Sequence, residues 1–112
     1  MKLVDNIKEL REQLWKLIYL TPLTPGDLIE NAKDPSYHNV NFKHLDNGLE
    51  VELIFTDNGD LVTTTYIFNK DDQLQEILMS EFNRISVLYN RQDEINLLLS
   101  KITAHTQLTV AI

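Results

Sequence analysis

Apolar or neutral side chains recur at alternating steps of four and three between Asp71 and about Ile102: Leu74, Leu78, Glu81, Ile85, Leu88, Gln92, Ile95, Leu99 and Ile102. That spacing predicts a long amphipathic helix, and Ile77, Phe82, Tyr89 and Leu98 widen its stripe enough to cover a sheet as well as a second helix. At 1.5 Å per residue it would be about 46 Å long. An eight-residue strand covers only about 27 Å. The helix must therefore project beyond the sheet or break, and the polar segment Asn90-Arg91-Gln92-Asp93 is where a break would fall, with Asp93 capping the final piece.

The same step runs through Leu3, Ile7, Leu10, Leu14 and Leu17, which predicts a first helix from about Val4 to Leu20 whose seam faces that of the C-terminal helix. Thr21-Pro22 ends it, because proline lacks the backbone donor and pushes the preceding residue out of the α region. Thr24-Pro25-Gly26-Asp27 then opens a short helix to about Lys33, with Thr24 as cap, Pro25 at the first helical position and Asp27 near the positive helix end.

Beyond Pro35 the period changes from 3.6 to 2. Asn47-Gly48 and Asn58-Gly59 are hairpin signals, and they delimit strands at about Val40–Leu45, Leu49–Thr56 and Leu61–Phe68. A two-residue turn at Asn58-Gly59 sets Phe55 opposite Val62, Leu53 opposite Thr64, Val51 opposite Tyr66 and Leu49 opposite Phe68, so the bulky groups share one face. A turn at Asn47-Gly48 would set Phe42 opposite Leu53, Val40 opposite Phe55 and Lys43 opposite Glu52, with His44 at the core margin. Asn69-Lys70-Asp71-Asp72 would close the sheet and cap the long helix. Thr103 to Ile112 reads as an extended tail. The expected architecture is a single α+β domain over residues 1–112: N-terminal helix, short helix, three-stranded antiparallel β-meander, long C-terminal helix and tail.

The chain has no cysteine, which removes thiol catalysis, thiolate metal sites and disulfides. No apolar run approaches the roughly 18 residues of a membrane span and no signal peptide is visible, so the expectation is a soluble cytoplasmic protein without membrane contacts. The net charge of −7 is unevenly spread: residues 25–72 hold ten acidic and three basic groups, and so account for the whole excess. Such a field repels nucleic-acid phosphates and favours a basic protein partner.

No motif carries recognisable chemistry. His38, His44 and His105 share no ligand spacing, and the three glycines, at 26, 48 and 59, form no phosphate-cradling loop. Asp57-Asn58-Gly59-Asp60 lacks the alternating ligands of a calcium loop, and the serines sit in no nucleophile context. The chain is therefore expected to be non-enzymatic, without metal or cofactor. The candidate partner surface is Glu50, Glu52, Asp57 and Asp60 with Tyr37, Ile54 and Ile67, and a homodimer is expected through Leu10, Leu14, Leu17, Ile95, Leu98, Leu99 and Ile102.

The order helix, short helix, meander and terminal helix superficially resembles winged-helix regulators that dimerise through a terminal helix. That resemblance implies DNA binding. It is opposed by residues 34–48, where Lys43 is the one fixed positive charge and a basic recognition helix should stand.

Overall fold

A computed structural model describes residues 3–21 and 23–111, with side chains for 7–21 and 23–106. The fold is α+β: an N-terminal helix α1 (Leu3–Tyr19), a short helix α2 (Pro25–Ile29) continued by a turn of 3₁₀ helix (Glu30–Lys33), an antiparallel sheet, and a long C-terminal helix α3 (Arg91–Ala111). The sheet has five strands, β1 (Tyr37–Leu45), β2 (Gly48–Asp57), β3 (Asp60–Asn69), β4 (Leu74–Glu81) and β5 (Arg84–Asn90), in the spatial order of the chain. Two compact units result, one made of residues 21–90 and the other of the two terminal helices.

In the sheet unit, α2 starts as its residues require. The Thr24 N–H donates to the Asp27 carboxylate at 2.9 Å and the Thr24 hydroxyl donates to the same oxygen at 3.1 Å. The Asp27 N–H returns to the Thr24 carbonyl, so the first turn is closed before Leu28 is reached. Leu28 is buried against Val51, Leu53 and Phe68, with Leu23, Tyr37, Val40, Leu49, Tyr66 and Leu74 packed around them. Burying each such large apolar side chain contributes about 1.5–3 kcal/mol, so this cluster is what holds α2 to the sheet.

The β2–β3 register is the expected one: Phe55↔Val62, Leu53↔Thr64, Val51↔Tyr66 and Leu49↔Phe68. Asn58 (φ 52°) and Gly59 (φ 84°) both adopt the left-handed conformation that a type I′ turn demands, which is why this dipeptide sets the register. The first hairpin differs. Its two-residue turn is Asp46-Asn47, Leu45 pairs with Gly48, and Val40 meets Leu53, Phe42 meets Val51 and Lys43 meets Glu50. Gly48 is held at φ 156° with its α-carbon so close to β3 that a β-carbon there would lie 1.9 Å from the Phe68 carbonyl oxygen. Glycine is thus needed for close approach rather than as a turn residue, and every β1 pairing moves by two. A shift of two leaves the faces unchanged. The expected Lys43–Glu52 pair is replaced by a hydrogen bond from Asn41 Nδ2 to Glu52 Oε1 at 3.2 Å. His44 and Phe42 are exposed, because β1 is an edge strand and the cluster beneath α2 lies over β2 and β3.

The long helix expected from Asp71 is, in its first half, a β-hairpin. Asn69 decides this locally: its Oδ1 accepts from the Asp71 and Gln73 N–H groups at 2.9 Å, and its Nδ2 donates to Gln73 Oε1 at 3.0 Å. Asp72 is left-handed (φ 59°), a conformation no helix N-cap adopts, so the chain doubles back into β4. Phe82 (φ 51°) and Asn83 (φ 61°) then form another left-handed two-residue turn, between Glu81 and Arg84, and β5 returns along β4. The polar segment Asn90–Asp93, where a break in that helix would fall, holds the strand-to-helix junction. The last helix continues through Thr103 to Ala111, so the tail is helical rather than extended; Ile112 and the side chains of residues 107–111 lie outside the described residues.

In the helical unit, α1 and α3 pack together although they lie far apart in sequence. Helix α1 stops at Tyr19, and Pro22 is outside the described residues. The Arg91 guanidinium donates to the carbonyl oxygens of Leu17 and Ile18, each at 3.2 Å, and so satisfies acceptors that the last turn of α1 leaves open. The less exposed positions form one stripe on each helix, Ile7, Leu10, Leu14, Leu17 and Ile18 on α1 and Ile95, Leu98, Ile102 and His105 on α3. Among the described residues no helix is long and apolar enough to cross a membrane.

Two outcomes follow from these contacts. A bulky residue in the left-handed region is strained by roughly 1–2 kcal/mol, and Phe82 is largely exposed, so Phe82→Asn should stabilise the protein by about 0.5–1 kcal/mol in urea unfolding. Arg91→Met should cost about 1.5–3 kcal/mol, the worth of charged hydrogen bonds, and should speed amide exchange in the last turn of α1 before it affects β2 and β3.

Candidate functional site

The sheet has two faces of different chemistry. One carries the apolar cluster under α2. On the other, residues line up in rows across the strands, about 4.8 Å apart from strand to strand. One row is Lys43, Glu50, Ile67, Glu76 and Asn90; the next is Asn41, Glu52, Thr65, Leu78 and Val87; the third is Asn39, Ile54, Thr63, Ser80 and Ile85. Glu50, Glu52 and Glu76 thus stand among Ile54, Ile67 and Leu78 on one pleated surface. All six are half-buried, as expected for the middle of a sheet face.

Among the described residues no lysine or arginine comes within ion-pair distance of Glu50, Glu52 or Glu76, although Lys43 is Glu50's cross-strand neighbour. Asp57 and Asp60 face each other across the Asn58-Gly59 turn, which adds two carboxylates at the tip of the β2–β3 hairpin. Of the surface expected from sequence, Glu50, Glu52, Ile54 and Ile67 therefore fall together, whereas Asp57 and Asp60, in phase with Phe55 and Val62, alternate to the other face at the hairpin tip. Tyr37 is elsewhere: it packs on the apolar cluster, edge-on to Phe55 with ring centroids 5.8 Å apart. Leu10, Leu14, Leu17, Ile95 and Ile102 are half-buried and Leu98 is buried, whereas Leu99 is exposed, as are Trp15, Tyr19 and Leu97 on the same two helices.

Glu76, Leu78, Ile85 and Val87 belong to the surface pattern and are absent from the surface expected from sequence, because the four-and-three spacing of their segment predicts helix. A signal was present. Turn-forming residues recur at 46–48, 58–59, 69–72 and 82–83, a spacing of 11 to 13 that suits consecutive hairpins, and Ile85-Ser86-Val87 alternates with β-branched residues.

Among the described residues no group of three or more His, Asp or Glu side chains is placed to hold a metal ion. A depression of about 230 Å³ opens between the Asp46-Asn47 turn and the β3–β4 loop, lined by His44, Asp46, Lys70 and Asp72 over Leu45, Gly48, Leu49 and Asn69. It is smaller than ordinary small-molecule sites, and His44 at the end of β1 is exposed, as are Asp46, Lys70 and Asp72 on the adjoining turns. His38 is used structurally, its ring hydrogen-bonded to the Thr56 hydroxyl where β1 skips a pairing. Asp34 is also structural: the Ser36 N–H and hydroxyl both donate to it, at 2.9 and 2.8 Å, and hold its carboxyl below the usual carboxylate value. Comparison of the chain with family models, curated proteins and solved structures gives no match to any of them.

Tyr66 provides a pH-dependent reporter of the sheet's apolar side. Burial pushes its phenol above the ordinary value of 10.0, and the neighbouring Tyr37 adds to the shift. The folded state thus favours the neutral phenol: its contribution is complete below pH 10 and is lost as the pH rises through the raised value, since the unfolded chain ionises first. Tyr66→Phe should remove part of the alkaline fall in stability and leave the neutral-pH denaturation profile nearly unchanged, as measured by urea unfolding at successive pH values.

Proposed function

We propose that this chain is a small non-enzymatic protein that works as a homodimer and binds another protein, one with a basic surface, through the carboxylate-bearing face of its sheet. The observation that supports this is the coincidence of Glu50, Glu52 and Glu76 with Ile54, Ile67 and Leu78 on one face, free of cations within pairing distance among the described residues. Carboxylates without close counter-ions, set among aliphatic groups, suit a lysine- or arginine-bearing partner: charge steers the encounter and the aliphatic groups supply area to bury. The acidic excess of residues 25–72 gives the same surface its long-range field. A nucleic-acid-binding protein, with its basic surface, is the kind of partner this field would engage, and the chain would then act as an inhibitor or modulator.

DNA binding receives less support. The winged-helix resemblance depended on a three-stranded meander leading straight into the last helix, whereas five strands precede α3. The helical turn before the sheet, α2, is five residues long and carries Asp27 with no lysine or arginine.

The test is capture of partners from a host lysate by the immobilised chain, beside a variant with Glu50→Gln, Glu52→Gln, Asp57→Asn and Asp60→Asn. Wild type should retain basic proteins that elute with a few tenths molar salt and that the variant fails to hold. Recovery of the same proteins by both would leave the charge a role in solubility only.

A further inference from the structure

We propose that the free edge of β5 is the surface through which two copies of this chain pair, strand against strand, about a two-fold axis at Ser86. This gives the homodimer reading above a surface, one distinct from the stripe on α1 and α3.

The two edges of the sheet differ. The β1 edge is interrupted where His38 is skipped in the pairing, and it presents Asn39, Asn41 and Lys43, features that discourage strand addition. The β5 edge has none of this over Arg84–Val87. Ile85 is 75% exposed and Val87 61%, and Phe82 and Leu88 beside them are also exposed. Arg84 is the strand's sole charge.

The hairpin register fixes which backbone groups are available. Glu81 and Arg84 flank a two-residue turn and therefore exchange both of their backbone hydrogen bonds, after which bonded and non-bonded pairs alternate. Ser86, opposite Met79, is turned toward β4; Ile85 and Val87, opposite Ser80 and Leu78, direct their N–H and C=O outward. An axis through Ser86 sets Ile85 against Val87 of the partner subunit, and Val87 against Ile85 of the partner subunit. Both pairs are then of the bonded kind, which supplies four backbone hydrogen bonds, and four β-branched side chains meet on one face. In this register Arg84 lies opposite an uncharged leucine, so no like charges are opposed. Leu88, the extra residue where the β4–β5 register shifts, ends the pairing.

Charge favours this edge by number. Joined at β5, Glu50 and Glu52 on β2 stand seven strand spacings from their copies, about 34 Å or four Debye lengths at physiological salt, and of the three face carboxylates only Glu76 on β4 comes within three spacings, about 14 Å. Joining at β1 would bring both Glu50 and Glu52 within three spacings of their copies, for a chain of net charge −7. So short a junction belongs below about 1,200 Å² of buried surface, among weak and reversible interfaces.

The test uses the full chain. Sedimentation equilibrium should show wild type passing from monomer to dimer on the order of 10–100 µM, as suits an interface of this class. Ile85→Lys with Val87→Lys, which opposes lysine to lysine across the axis, should leave a folded monomer. Val87→Pro removes only an outward N–H and should weaken the dimer at least tenfold, which keeps the test valid if the double lysine variant fails to fold. The chain has no cysteine, so Ser86→Cys offers a unique thiol: it should give a disulfide dimer on mild oxidation, whereas Leu97→Cys, on an exposed position of α3, should not. A wild-type monomer at 500 µM overturns both this surface and the homodimer reading. A dimer that persists in the β5 variants, or that cross-links through Leu97→Cys in preference to Ser86→Cys, overturns the β5 surface alone.

Discussion

The pairing of β2 with β3 is the constraint on which the sheet unit depends. It is anchored at one end by the left-handed Asn58-Gly59 turn and at the other by Gly48, whose backbone approaches Phe68 more closely than any side chain would permit. Between these points the register is unbroken. It brings Val51, Leu53 and Phe68 under Leu28, and because strand side chains alternate, the same register sends Glu50, Glu52, Ile54 and Ile67 to the opposite face. The apolar cluster and the acidic surface are two consequences of one alignment, and a slip of one residue would exchange them.

The legible parts of the sequence were those with local and redundant signals. The cap at Thr24, the proline at the first helical position and Asp27 all agree, and α2 begins where they indicate. Asn58-Gly59 agrees with the alternation on both sides, and the pairing is as expected. Residues 71–90 failed because Leu74, Leu78, Ile85 and Leu88 fit a step of four and three as well as they fit two strands, while the deciding features were conformational: Asn69 bonding its own loop, and left-handed Asp72, Phe82 and Asn83. A phenylalanine is a poor advertisement for such a turn. The acidic surface was legible only as far as β3, since Glu76 and Leu78 join it through that missed hairpin.

The two outer strands show how differently one sheet can treat its borders. At β1 a skipped pairing and polar side chains blunt the edge, whereas at β5 the backbone groups of Ile85 and Val87 face outward beside their own exposed side chains. The carboxylates of β2 sit nearer the blunted side. Surface charge and edge chemistry therefore meet only at Glu76 of β4, beside the open edge, and an alteration at Glu50 or Glu52 leaves that edge in place.

The helical unit has a consequence for synthesis. The strands form hairpins with near neighbours, each able to close within microseconds once its turn has been made. Helix α1 has no such neighbour: the arginine that caps its last turn lies 74 residues downstream. At ribosomal rates of about 5–20 residues per second, its apolar stripe waits roughly 4–15 s for α3 to be made. During that interval α1 is the segment least able to bury itself, and a holding chaperone would find it there.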